Sequence, residues 1–269
     1  MSMASTGNGT PASSMRTQPA DAIVDDPEYT VGRPIRLLAH HLFNQSVSYT
    51  FSKALGVAST DGDGVSSYFN DREWNYGPLS FDRHQSFVVS YVYQLPKFGT
   101  RLGVRPAKWA FDNWEISGVT TFQTGAPFTP GFSTQPSTDI SGSSDSARIL
   151  VVGDPNLSSG QRTFYQEFNT SAFALPAVGT MGDAGQNIMY GPRINDWDVS
   201  ITKRFNIFSE SRTLSFRGEF YNAFNHTQFS GWNTSATFTP QGQQISAAFG
   251  QANAARLPRY IEISARFVF

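Results

Sequence analysis

The chain has 269 residues with Lys+Arg 20 against Asp+Glu 21, and this near-neutral balance excludes nucleic acid as a main partner, because phosphate binding needs clustered excess Lys and Arg. Charged residues are 15% against roughly 25% in ordinary soluble domains, aromatics reach 14%, and no run of about 18 apolar residues occurs, so no membrane-spanning helix is expected. Cys is 0, which excludes disulfide scaffolds, thiolate metal sites and Cys nucleophiles.

The opening stretch to about Pro27 is mostly Ser, Thr, Pro, Ala and Asp and lacks the apolar core of a secretory signal. By itself it suits a cytosolic protein with a floppy tail better than an exported protein that has lost its natural beginning. Residues 1–43 together are expected to be poorly ordered, with the folded part at 44–269.

From there period-two alternation, the strand signal, recurs six times. Val47, Tyr49 and Phe51 alternate with Ser46, Ser48, Thr50 and Ser52. Phe87, Val89, Tyr91, Tyr93 and Leu95 alternate with Ser86, Val88, Ser90, Val92 and Gln94. Trp114, Ile116, Gly118, Thr120 and Phe122 alternate with Glu115, Ser117, Val119, Thr121 and Gln123. Trp197, Val199, Ile201, Lys203 and Phe205 form one side of the fourth segment, opposite Asp196, Asp198, Ser200, Thr202 and Arg204. In the fifth, Leu214, Phe216, Gly218, Phe220 and Phe224 oppose Ser215, Arg217, Glu219 and Tyr221. The last sets Ile261, Ile263, Ala265, Phe267 and Phe269 against Tyr260, Glu262, Ser264, Arg266 and Val268.

With flanking residues each segment spans about 11–13 residues, twice the common strand length. Twelve residues tilted by about 40° rise about 30 Å, enough to cross a bilayer's hydrocarbon core. The gaps run long, short, long, short, long, at 55–83, 96–112, 125–194, 207–212 and 226–257. Bacterial outer-membrane barrels have that order, with long extracellular loops and short periplasmic turns. The expected fold is therefore all-β: an antiparallel transmembrane β-barrel segment of about six long strands. Lys97, Arg101, Arg105 and Lys108 are expected to keep the 96–112 turn in water. Two polar residues fall on the apolar face: Lys203, expected to snorkel to water from the inner end of its strand, and Asn222, near the outer end. Trp114, Trp197, Tyr93, Phe205 and Phe224 sit where aromatic girdles belong.

These segments resemble a known family. Ser48-Tyr49-Thr50-Phe51-Ser52-Lys53-Ala54, Tyr76-Gly77-Pro78 and Phe81-Asp82-Arg83-His84 are similar to a strand end and the next loop of TonB-dependent receptors of the Oar-like type. So, in the family's order, are Asn113-Trp114-Glu115-Ile116-Ser117-Gly118, Tyr190-Gly191-Pro192, Asn195-Asp196-Trp197-Asp198, Phe216-Arg217-Gly218-Glu219-Phe220-Tyr221-Asn222-Ala223-Phe224-Asn225 and the closing stretch from Arg259 to Phe269. The resemblance implies a 22-stranded outer-membrane barrel with a plug in its lumen, importing a nutrient with energy passed from TonB. This chain would be its carboxy-terminal part: a fragment without plug, inactive alone, reaching TonB only through a missing amino-terminal part. Outer-membrane lipid, the barrel-assembly machinery, and the rest of the barrel and plug would be its partners.

On this reading Ile261, Ile263, Phe267, Phe269, Trp114 and Trp197 are membrane-anchor or assembly residues, and Arg217, Glu219, Glu262 and Arg266 face the lumen. The simplest use of those four charges is a cross-strand ion-pair ladder; the alternative is contact with plug or solute. His40 and His41 point to opposite sides of any strand and suit no shared metal, and Asp61-Gly62-Asp63-Gly64 reads as a surface turn rather than a Ca²⁺ loop. No nucleophile elbow, phosphate-binding loop or zinc helix occurs, so no enzyme, no metal and no cofactor are expected. The competing reading is a secreted β-sandwich adhesin or carbohydrate-binding module, which would need a closed, water-soluble core.

Overall fold

The computed structural model describes residues 38–39, 43–60, 65–66, 68, 70–207 and 212–269. Alternation resolves into β1 (Leu38–Ala39), β2 (Phe43–Phe51), β3 (Gln85–Gln94), β4 (Trp114–Gln123), β5 (Ile194–Asn206), β6 (Thr213–Tyr221) and β7 (Tyr260–Val268). They form one seven-stranded sheet in chain order, each strand antiparallel to the next. The six long strands expected from the alternation are all present, and the all-β, antiparallel expectation holds. A ten-residue strand such as β3 or β4 is about 33 Å long and, at about 40° tilt, about 25 Å tall, the height of an outer-membrane barrel's apolar band.

Register explains why one side is greasy and the other wet. Phe43, Tyr93, Ile116, Ile201, Gly218 and Ile263 are aligned across β2 to β7. The neighbouring row is Asn44, Val92, Ser117, Ser200, Glu219 and Glu262. Successive residues point to opposite faces, so the first row belongs to an apolar face and the second to a polar one. Gly118 and Gly218 leave gaps in the apolar face. Tyr91, directly opposite Gly118, lies over it, so that a Cβ there would overlap the phenol ring.

Among the described residues no second layer covers the apolar face: Ile263 is 79% exposed, and Ile261 and Phe267 are about half exposed. The buried core lies instead in the long connections, which the sequence left as loops. Phe168, Phe173, Trp232, Phe238, Phe249, Ile149 and Met189 cluster there, with Phe128 and Phe132 packed against them. Phe168 alone has the rings of Phe249, Phe173, Trp232 and Phe128 at 5.3, 6.0, 6.0 and 6.1 Å. Short ladders knit this cap, including a parallel pairing of Gly131–Thr134 with Ser235–Phe238 that joins the two longest loops. The first loop carries α1 (Asp71–Asn75) and is tied in by Arg148, which lies 4.5 Å over the Trp74 ring and donates to Asn75 Oδ1 at 3.1 Å.

At the opposite end, the connection from β3 to β4 folds into α2 (Phe98–Arg101) and α3 (Arg105–Phe111). Gly99 approaches the Ala107 carbonyl so closely that any Cβ would collide with it. Asn222 is not on the wall. It ends β6 in a left-handed turn (φ 48) and donates its amide to the carbonyls of His226 and Leu257 at 3.2 and 3.4 Å. Residues 1–37, His40, His41 and Asp61-Gly62-Asp63-Gly64 lie outside the described residues, which takes in most of the expected disordered segment.

Candidate functional site

The polar face carries the charge. Pairing of β6 with β7 puts Arg217 opposite Ser264, Glu219 opposite Glu262 and Ser215 opposite Arg266, so the four predicted residues share one side. They do not form the expected ladder, because the register brings the two carboxylates face to face. Arg217 instead turns along its own strand to Glu219 at 2.8 Å, while its Nε donates to Ser200 Oγ at 2.8 Å. The cross-strand pair on this face joins Arg204 of β5 to Glu115 of β4 at 3.0 Å, two residues outside the predicted set. Around these charges the face is mostly small hydroxyl residues: Ser46, Ser90, Ser117, Ser200, Ser215 and Ser264.

The apolar face ends in aromatics at both rims. Trp197, near the loops, packs edge-on against Phe122 and Phe224 at 5.8 and 5.4 Å and donates Nε1 to Asn195 Oδ1 at 2.9 Å. Trp114, at the helical end, donates Nε1 to the Ala110 carbonyl at 2.8 Å. Each indole keeps its body with the apolar face and its N–H satisfied, the arrangement a membrane interface favours. Phe269 is fully exposed and stacks on Phe267, ring centroids 6.0 Å apart.

Lys203 corrects the sequence reading. It does not reach water; α3 covers it, and its ammonium donates to the carbonyls of Ala110 and Asp112. Those carbonyls belong to the last turn of α3 and to the residue that caps it, where a cation is favoured. The signal was invisible in the strand because the covering group comes from 91 positions earlier.

At the loop rim, the Phe81-Asp82-Arg83-His84 stretch closes on Tyr190. Asp82 is buried and accepts from the Ala54 N–H at 3.0 Å, with His84 Nδ1 at 3.2 Å and the Tyr190 hydroxyl at 3.5 Å. Burial first, and then the Asp82 charge, push the Tyr190 phenol up to about 12, so it remains a donor. This cluster pins the mouths of β2, β3 and β5 together, which is why residues of two distant similarity blocks meet in space.

A meander of long strands with one polar and one apolar face, aromatic rims, long connections at one end and short ones at the other defines a class of protein: the wall of an outer-membrane β-barrel. Residues 37–262 match the family described as outer membrane beta barrel domain, and the chain belongs to that family. Its place is therefore the bacterial outer membrane. No curated protein and no solved structure matches the chain.

Proposed function

We propose that the chain supplies wall strands of a TonB-dependent outer-membrane transporter for nutrient uptake. The observation that carries this reading is the chemistry of the polar face. An eight-stranded barrel fills its interior with its own side chains, whereas a 22-stranded one encloses a plug. Rows of Ser with Arg217, Glu219, Glu262 and Arg266 among them are too small and too polar to fill a narrow interior, and suit a wide lumen holding water and a plug. The two outer strands of the sheet, β1 and β7, each pair on one side only among the described residues, and the cost of unpaired backbone in lipid supports a wider wall that further strands complete. Ile261, Ile263, Phe267, Phe269, Trp114 and Trp197 then meet lipid, and the assembly machinery engages the final strand.

A β-sandwich would need a second sheet over Ile261, Ile263 and Phe267, which are exposed. The test is photo-crosslinking in cells from Ser264 and from Ile263, neighbours on opposite faces. Ser264 should capture a plug polypeptide and Ile263 should capture lipid. Failure of every polar-face position to capture protein would overturn the transporter reading.

A further inference from the structure

We propose that α2, α3 and the wall beneath them form a binding site for one anionic phospholipid of the periplasmic leaflet. The proposal rests on the reading that the apolar face meets lipid. Three observations point to this occupant.

The first is position. Trp109 of α3 packs on Phe205 at 4.6 Å, and Phe205 on Phe216 at 6.0 Å, so α3 lies against the apolar face rather than beneath the lumen. Between helix and wall runs a groove of about 730 Å³ lined by Arg105, Trp109, Trp114, Phe205 and Phe216. It is continuous with the apolar face, so what enters it comes from the lipid side. Its end of the sheet is opposite the long loops, which makes it the periplasmic end.

The second is polarity. The hairpin presents Phe98, Leu102, Val104, Trp109 and Phe111 outward, with Leu102 64% and Trp109 65% exposed. The sequence reading put this turn in water because of its basic residues. Five large exposed apolar side chains, three on helices of four and seven residues and two in the turn between them, fit an interfacial hairpin instead.

The third is charge. Residues 95–111 contain Lys97, Arg101, Arg105 and Lys108 and no Asp or Glu. The nearest carboxylate, Asp112, is consumed internally by the N–H groups of Gly99 and Thr100 and by the Thr100 hydroxyl. The Lys203 ammonium, already bonded to carbonyls, adds a further cation beside the groove. A free inorganic anion would satisfy the arginine but leave the aromatic groove empty; an anionic phospholipid satisfies both, phosphate on Arg105 and an acyl chain along Trp109 and Phe216.

The full chain is reconstituted in bilayers containing brominated lipids at equal mole fraction, either brominated phosphatidylglycerol or brominated phosphatidylcholine, and quenching of Trp emission is compared. Wild type should be quenched more strongly by the phosphatidylglycerol. Each basic residue at an anionic surface is worth about fivefold in local lipid enrichment, so the triple variant R101Q/R105Q/K108Q should bring the two quenchers level. W109F, which removes a reporter from the groove without unpacking it, should shrink the difference, and R162Q in the cap should leave it intact. Equal quenching by the two lipids in wild type, or a preference that survives the triple variant, overturns the site while leaving the barrel reading standing. Absence of quenching by either lipid overturns both.

Discussion

Replacement of Ile263 by Arg, set against the same replacement at Ser264, tests the central assignment of faces. The two residues are adjacent on β7 and stand in rows that point to opposite sides. In water, Ile263→Arg should be close to neutral, because the side chain is 79% exposed and surface changes usually stay within about 0.5 kcal/mol. In a bilayer the same exposed position faces hydrocarbon near the middle of the strand, and an Arg there costs about 2–4 kcal/mol. That is a factor of roughly 30 to 900 in the folding equilibrium. Ser264→Arg meets no lipid. Its partner across the register is Arg217, so it suffers like-charge repulsion of about 0.2–1 kcal/mol. Reversible denaturant unfolding from phospholipid vesicles measures both. A cost at Ile263 equal to or smaller than that at Ser264 would refute the assignment of the apolar face to lipid.

Three further outcomes are expected. Phe168→Ala should cost about 3–5 kcal/mol of cap stability, since its ring is buried among four others, all in loops; limited proteolysis should open 125–193 and 226–257 while the wall stays resistant, and equal loss of both would contradict a separately packed cap. Asp112 is pushed up by burial, but bonds from Thr100 and Gly99 together with the Lys203 charge outweigh this and leave its carboxyl below the ordinary 3.8, so its hold on α2 is complete above that value and is lost as pH falls through the lowered one. Protection of the Gly99 amide from hydrogen exchange should follow that profile and be weaker at neutral pH in Asp112→Asn; a pH-independent amide would count against the clamp. Deletion of Phe269 should lower the inserted fraction in outer membranes, as it removes the exposed ring stacked on Phe267, and unchanged insertion would remove its assembly role.

Much of the wall was legible because barrel strands obey a local rule. A strand exposed to lipid on one side and to a polar interior on the other must alternate, residue by residue, whatever its neighbours are. The faces of Ile261, Ile263 and Phe267, and of Arg217, Glu219, Glu262 and Arg266, could therefore be read one strand at a time, and so could the order of long and short connections. Strand pairing is a different matter. That Glu219 meets Glu262, and that Arg217 turns to its own strand while Arg204 finds Glu115, depends on register between strands, which alternation does not specify beyond parity.

The sequence by itself determined the six strands, their faces and the end of the molecule at which each connection lies, since these follow from period and length. Only the tertiary structure decided that the loops share an aromatic core around Phe168, that Asp82 and Tyr190 meet across the rim, and that α3 folds back over Lys203. The physical reason is range. Alternation acts between residues two apart, whereas each of these contacts joins segments tens of residues apart in irregular chain, where no period announces a partner.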